Sequence, residues 1–171
     1  MKNDRTTTNT NGVGPSSYLK KALLTVFKYH KSKRTILFVG VPSKVKKKYK
    51  KTLLNTRHIF LPEFYWTKGF LTNKKSLIES LKKNSSTDLK SHNLQRYLLS
   101  KKKPDLLVVL SLGFNSEILK EASKLKIPTI AVSGSDLDHF ILYSVKANTE
   151  DNSVRHNNFL FHLLNSLFKK N

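Results

Sequence analysis

Cysteine is absent from the 171-residue chain, which rules out a disulfide framework, a thiolate zinc site and a cysteine nucleophile. Glycine is scarce, with 6 residues, so the clustered glycines of a phosphate-cradling loop have little to be built from. No uninterrupted apolar run approaches the roughly twenty residues of a membrane span. Residues 1–17 have neither the apolar core of a secretory signal nor the arginine-rich amphipathic face of a transit peptide. Their Thr, Asn, Gly and Ser content reads as a disordered tail ahead of a single domain over residues 18–171. If such a chain works in an organelle, it is expected to be made there.

The largest deficit is acid. Asp and Glu number 11 against 32 Lys and Arg, giving a formal net charge of +21 and a pI near 10.2. A surface of that sign repels itself unless a polyanion is bound. Charge carried mostly by lysine suits a phosphate backbone contacted at many points, with affinity drawn from counterion release. An anionic membrane would call for a basic amphipathic helix or an apolar anchor. Nucleic acid is therefore the expected partner, ahead of a small acidic substrate.

What is present alternates between helix and strand. Leu19, Leu23, Val26 and Phe27 recur at helical spacing after Ser16 or Ser17 as N-cap, and the helix ends in the basic run Lys28 to Arg34. Residues 35–40, Thr-Ile-Leu-Phe-Val-Gly, form a continuous apolar run closed by glycine, as expected of a strand buried on both faces. Residues 43–54 follow as one lysine-faced helix, and His58 to Leu61 as a short strand stopped by Pro62. Helices are expected over about 72–83 and 88–100, with a break at 84–87. Strands are expected at 106–110, 127–132 and 143–146, and further helices at 117–125 and about 153–168. The alternation predicts an α/β fold, a five-stranded parallel sheet with helices on both faces. Its ligand rim would lie at the carboxyl ends of the strands, at 40–43, 111–115 and 133–139.

Candidate chemistry on that rim is thin. Gly40-Val41-Pro42-Ser43-Lys44 has one glycine and a proline where a nucleotide loop needs several glycines, so it reads as a strand-to-helix turn capped by Ser43. That helix N-terminus could still meet one RNA phosphate. Asp136, Asp138 and His139 cluster with Ser133 and Ser135, and metal-assisted phosphoester chemistry is imaginable there. Asp and Ser are equally what a tight turn uses to bond its own backbone, and that is the reading adopted. His30, His58, His92, His156 and His162 never fall four apart, which gives no helical metal pair. No catalytic residue, cofactor or metal ligand is expected. Phe64-Tyr65-Trp66-Thr67-Lys68-Gly69-Phe70 admits both base stacking and core anchoring. Lysines 44, 46, 47, 48, 50 and 51 join Lys31, Lys33, Arg34, Lys74, Lys75, Lys82, Lys83 and Lys101 to Lys103 with few compensating acids, the footprint of a polyanion contact.

Several of these segments resemble the small-subunit ribosomal protein two family. Residues 35–40 resemble its first core strand. Residues 64–73, Phe-Tyr-Trp-Thr-Lys-Gly-Phe-Leu-Thr-Asn, are similar to its arginine-tryptophan-leucine-glycine-glycine-methionine-leucine-threonine-asparagine stretch. Residues 104–109 resemble the next strand, and residues 120–132, Lys-Glu-Ala-Ser-Lys-Leu-Lys-Ile-Pro-Thr-Ile-Ala-Val, the helix-turn-strand after it. The likeness spans most of residues 18–168 in the family's order.

The resemblance implies a flavodoxin-like (Rossmann-like) sheet and a non-enzymatic structural constituent of the small ribosomal subunit acting in translation. Its partners would be small-subunit rRNA and other small-subunit proteins, with no membrane and no small-molecule substrate. The expected RNA-binding set is Lys33, Arg34, Lys44, Lys46, Lys47, Lys48, Lys50, Lys51, Trp66, Lys68, Asn73, Lys74 and Lys75. Three departures stand out: Lys68 replaces the first of two glycines, only about thirty residues (74–103) remain of a long helical hairpin, and an N-terminal glycine-histidine-phenylalanine segment is missing. These fit a trimmed organellar member, with the mitochondrial matrix ranked ahead of a plastid or the bacterial cytoplasm. The alternatives are a small α/β enzyme using Asp136 and Asp138, or a free RNA-binding regulator.

Overall fold

The computed structural model describes residues 15–62, 66, 68–83, 92–99, 102–110, 116–133, 141–146 and 153–169. The elements run α1 (Pro15–Lys31), β1 (Ile36–Val41), α2 (Ser43–Lys48), α3 (Lys50–Leu54), β2 (Ile59–Pro62), α4 (Lys74–Lys83), α5 (His92–Leu99), β3 (Leu106–Val109), α6 (Ser116–Lys124), β4 (Thr129–Ser133), β5 (Ile141–Lys146) and α7 (Ser153–Lys169). The expected parallel α/β sheet is present. Its order is β2-β1-β3-β4, with the β5 backbone running parallel along β4.

Every residue of β1, β2 and β3 is buried, as the unbroken apolar runs require. Alternation along each strand divides the core in two. Ile36, Phe38, Leu106 and Val108 face α1, α3 and α7, where they meet Ala22, Val26, Leu53, Phe161, Leu164 and Phe168. Leu37, Val39, Leu107 and Val109 face α5 and α6, where they meet Tyr97, Leu98, Ile118 and Ala122. Two separate apolar layers, one on each face, hold the helices on.

Several boundaries differ from the sequence expectation. Pro15 is the first residue of α1, so Ser16 and Ser17 are inside the helix instead of capping it; proline fits a first turn whose N–H groups are unused. β1 continues through Gly40 to Val41, because Gly40 takes φ +81 at an irregularity in the β1–β2 register that only glycine adopts cheaply. Pro42, not Ser43, is the N-cap of α2, with no side-chain capping bond. The single helix expected over 43–54 is divided at Tyr49 (φ −105, ψ 14) into α2 and α3. Pro62 lies within β2, which is tolerated because β2 is an edge strand.

α1 and α6 end alike. Lys33 (φ +57) and Lys126 (φ +54) adopt the left-handed conformation just past the helix. Around them Arg34 N–H donates to the Tyr29 carbonyl (3.0 Å), and Ile127 N–H to that of Ala122 (2.9 Å). Glycine is the usual residue for this cap, and a side chain there costs roughly 1 kcal/mol.

The N-terminal tail, the break at 84–87, and the turn carrying Asp136, Asp138 and His139 lie outside the described residues. The two flanks of that turn are placed: Ser133 ends β4 and Ile141 begins β5, at opposite ends of two parallel strands. Among the described residues no helix is long and apolar enough to cross a membrane.

Candidate nucleic-acid interface

The lysine-rich segment between β1 and β2 folds with its apolar residues inward. Val45 and Leu53 are buried against the sheet, which turns Lys44, Lys47, Lys48 and Lys51 to solvent. Neither α2 nor α3 contains an acid, so nothing on these helices neutralises those cations. The Lys48 ammonium rests 5.4 Å from the Tyr49 ring centre, and Tyr49 Oη in turn lies 3.4 Å from His162 Nδ1 on α7. The side chains of Lys46 and Lys50 are outside the described set. The two helices thus present four placed lysines on one acid-free stretch, suited to an extended phosphate backbone.

Lys33 and Arg34 are exposed where the chain enters β1, with the Arg34 guanidinium 5.3 Å from the Tyr29 ring centre. Residues 66–75 form a second, differently built region. Trp66 is half-buried against the α5–α6 core layer, its ring 5.1 Å from that of Phe70, which matches the core-anchor reading of this aromatic stretch. Its Nε1 is buried and finds no hydrogen-bond partner among the described residues. Lys68 is exposed and pairs with Glu117 at 3.4 Å. Asn73 accepts a bond from Ser76 N–H at 3.4 Å in its side-chain oxygen, the capping geometry of α4. Lys74 is half-buried, 3.7 Å from the Tyr97 ring centre and donating to the Lys102 carbonyl at 2.7 Å; burial lowers its pKa to about 8. Lys75 is exposed. The expected set is therefore not one patch: Lys74 and Trp66 point into structure, while the lysines of α2 and α3 point out.

Sequence reasoning missed what holds the 68–73 turn. Glu121, buried on α6, accepts from Gly69 N–H (2.6 Å) and Leu71 N–H (3.0 Å), and from the Thr72 hydroxyl at 3.4 Å. Gly69 has φ +86, the left-handed region that favours glycine. Glu121 is a buried carboxylate inside a strongly basic protein, spent on backbone donors 50 and 52 residues away in sequence. Its only signal in the sequence is an acid at the apolar-facing position next to Ala122.

A second missed feature is a histidine pair. His30 Nδ1 and His58 Nε2 are 2.9 Å apart, and His58 Nδ1 accepts the Ile36 N–H at 3.3 Å. His58 is fully buried and packs with Phe168 at 5.1 Å between ring centres. Burial, then the neighbouring His30 and Arg57, lower its pKa to about 3. A neutral His58 accepting at Nδ1 must carry its proton on Nε2 and donate it to His30. Looking for histidines four apart on a helix could not find this contact, because it joins α1 to the strand entry 28 residues later. Among the described residues no group of three potential metal ligands occurs.

A family model described as ribosomal protein S2 matches residues 15–170. Small ribosomal subunit protein uS2 of Chlamydia felis is 29% identical over 143 residues, covering 70% of this chain and 52% of that protein. Small ribosomal subunit protein uS2 of Chlamydia muridarum is 30% identical over 143 residues, covering 70% and 50%. Small ribosomal subunit protein uS2m of Schizosaccharomyces pombe is 30% identical over 146 residues, covering 81% and 52%. The chain spans about half the length of the curated relatives it matches.

Proposed function

The chain belongs to the ribosomal protein S2 family, and from that premise we propose that it is a non-enzymatic structural constituent of the small ribosomal subunit, bound to its rRNA and to neighbouring ribosomal proteins. The observation that carries the reading is the family match over residues 15–170, nearly the whole chain. The net charge of +21 supports it, since a free protein with so little acid has no internal means of neutralising its surface. The exposed lysines of α2 and α3 are the proposed phosphate contacts, with Lys33, Arg34, Lys68 and Lys75 as further proposed contacts elsewhere on the surface. Trp66, Asn73 and Lys74 hold the 66–75 segment in shape.

In this reading the sheet is the five-stranded flavodoxin-like sheet of residues 18–171, β5 its last strand, and residues 74–103 are a reduced helical insertion. The uS2m relative of Schizosaccharomyces pombe supports placing the protein in a mitochondrial ribosome, while the Chlamydia uS2 relatives at similar identity keep a bacterial-type ribosome as the competing site. The test is binding of the full chain to transcribed small-subunit rRNA over a salt series. Each of Lys44→Ala, Lys47→Ala, Lys48→Ala and Lys51→Ala is expected to weaken binding additively and to flatten the salt slope by about one unit. Four variants that bind like wild type would remove α2 and α3 from the interface.

A further inference from the structure

A second cationic surface lies at the opposite end of the sheet from the rim where a parallel fold usually binds ligands. The strand pairings set four entry loops side by side in the order β2, β1, β3, β4. Each loop brings exposed cations: Arg57 before β2, Lys33 and Arg34 before β1, Lys102 and Lys103 before β3, and Lys126 before β4. Three strand-to-strand steps make this a row about 15 Å long.

The loops are tied to one another. Arg57 Nη1 donates to the Lys33 carbonyl (3.0 Å), and Lys103 Nζ to the Leu125 carbonyl (2.8 Å). Thr35 N–H donates to Asp105 Oδ2, and Asp105 N–H to the Thr35 carbonyl, both at 2.8 Å. Asp105 is the one acid among the described residues of these loops, set against the six cations Arg57, Lys33, Arg34, Lys102, Lys103 and Lys126. The row is therefore fixed in shape and cationic, which is what an incoming polyanion needs if binding is not to cost loop ordering.

Lys33 and Lys126 supply an independent sign. Among the described residues they alone combine a side chain with positive φ, and both sit on this row. A helix cap of this kind favours glycine, so stability alone does not account for lysine at both. Charge at those two places does.

The geometry points to the amino-end rim of the sheet as a docking ridge for the sugar-phosphate backbone of structured RNA, in addition to the α2–α3 lysines, of which Lys51 shares a surface pocket with His30 and Thr56 at the edge of the ridge. It rests on the RNA-binding reading above. The chemistry is shape and phosphate recognition without base readout, since among the described residues the ridge loops carry cations and no exposed aromatic.

The test is the double variant Lys33→Gly with Lys126→Gly in the full chain, compared with Lys20→Gln plus Lys21→Gln, two exposed lysines of α1 away from the ridge. The probe is transcribed small-subunit rRNA over a salt series, with melting temperature followed in parallel. The ridge variant should melt at an equal or higher temperature and yet bind more weakly, its salt slope flatter by about two units. The α1 pair should change the slope by less than half as much. Equal losses in the two pairs, or unchanged binding in the ridge variant, would overturn the ridge. So would selective loss of binding to anionic phospholipid vesicles with RNA binding intact. A wild-type chain that fails to bind the rRNA at all would defeat the functional reading itself, a result distinct from these.

Discussion

Glu121 has the most to lose at the scale of single residues. Replacing it with alanine leaves the buried Leu71 N–H and the part-buried Gly69 N–H without their acceptor, and a stranded buried donor costs about 1–3 kcal/mol. Glu121→Ala is expected to destabilise the protein by about 3 kcal/mol in urea unfolding. Gly69→Ala should cost about 1 kcal/mol, because among the described residues its added Cβ meets only the Asn73 side chain at 3.4 Å and the penalty is the left-handed backbone. His58 gives the fold a pH dependence. Its folded pKa of about 3 lies below the unfolded value of 6.5, so the unfolded chain takes up the proton first and stability falls as pH drops below 6.5. Between pH 7.5 and 5.5 the loss attributable to His58 is about 1 kcal/mol. His58→Gln should remove that slope while lowering stability at neutral pH; an unchanged slope would place the titration elsewhere.

The strands were legible element by element, because runs such as Ile36 to Val39 and Leu106 to Val109 are apolar without interruption and the sheet buries both faces of them. The outward lysines of α2 and α3 were legible for the same reason in reverse: Val45 and Leu53 have one place to go. Element ends were less so. Gly40 reads as a stop from its type alone, but its left-handed φ serves a register irregularity inside β1 that appears only once β2 is paired. Tyr49 divides a helix whose i to i+4 bonds still pass through it, with Tyr49 N–H to Val45 and Leu53 N–H to Tyr49 both at 3.0 Å, so local sequence carries no break signal. Contacts between distant elements were not legible at all. Glu121 with the 68–73 turn, and His30 with His58, join segments that no local period relates. Among the elements, α6 should lock the 68–73 turn. In amide exchange, Glu121→Ala is expected to raise the exchange of Gly69 and Leu71 while leaving β1 and β3 protected.

For the whole molecule, one charge sign dominates, and the proposed partner is a polyanion. Placed cations of the α2–α3 face and of the amino-end loops are both proposed contacts, so binding that engages both should fall steeply with salt. The chain covers about half the length of its curated relatives, and the residues that match the family, 15–170, take in the α/β sheet with its two core layers. The proposed role in the small subunit therefore falls to that sheet and its basic surface. The most direct measurement is sedimentation of the full chain in a sucrose gradient of gently lysed cells, repeated at rising salt. Migration with small subunits and monosomes at low salt, with release toward the top of the gradient as salt rises, is the expected result. A chain that stays at the top at low salt, while a marker protein of the small subunit remains in its peak, would contradict membership of the particle.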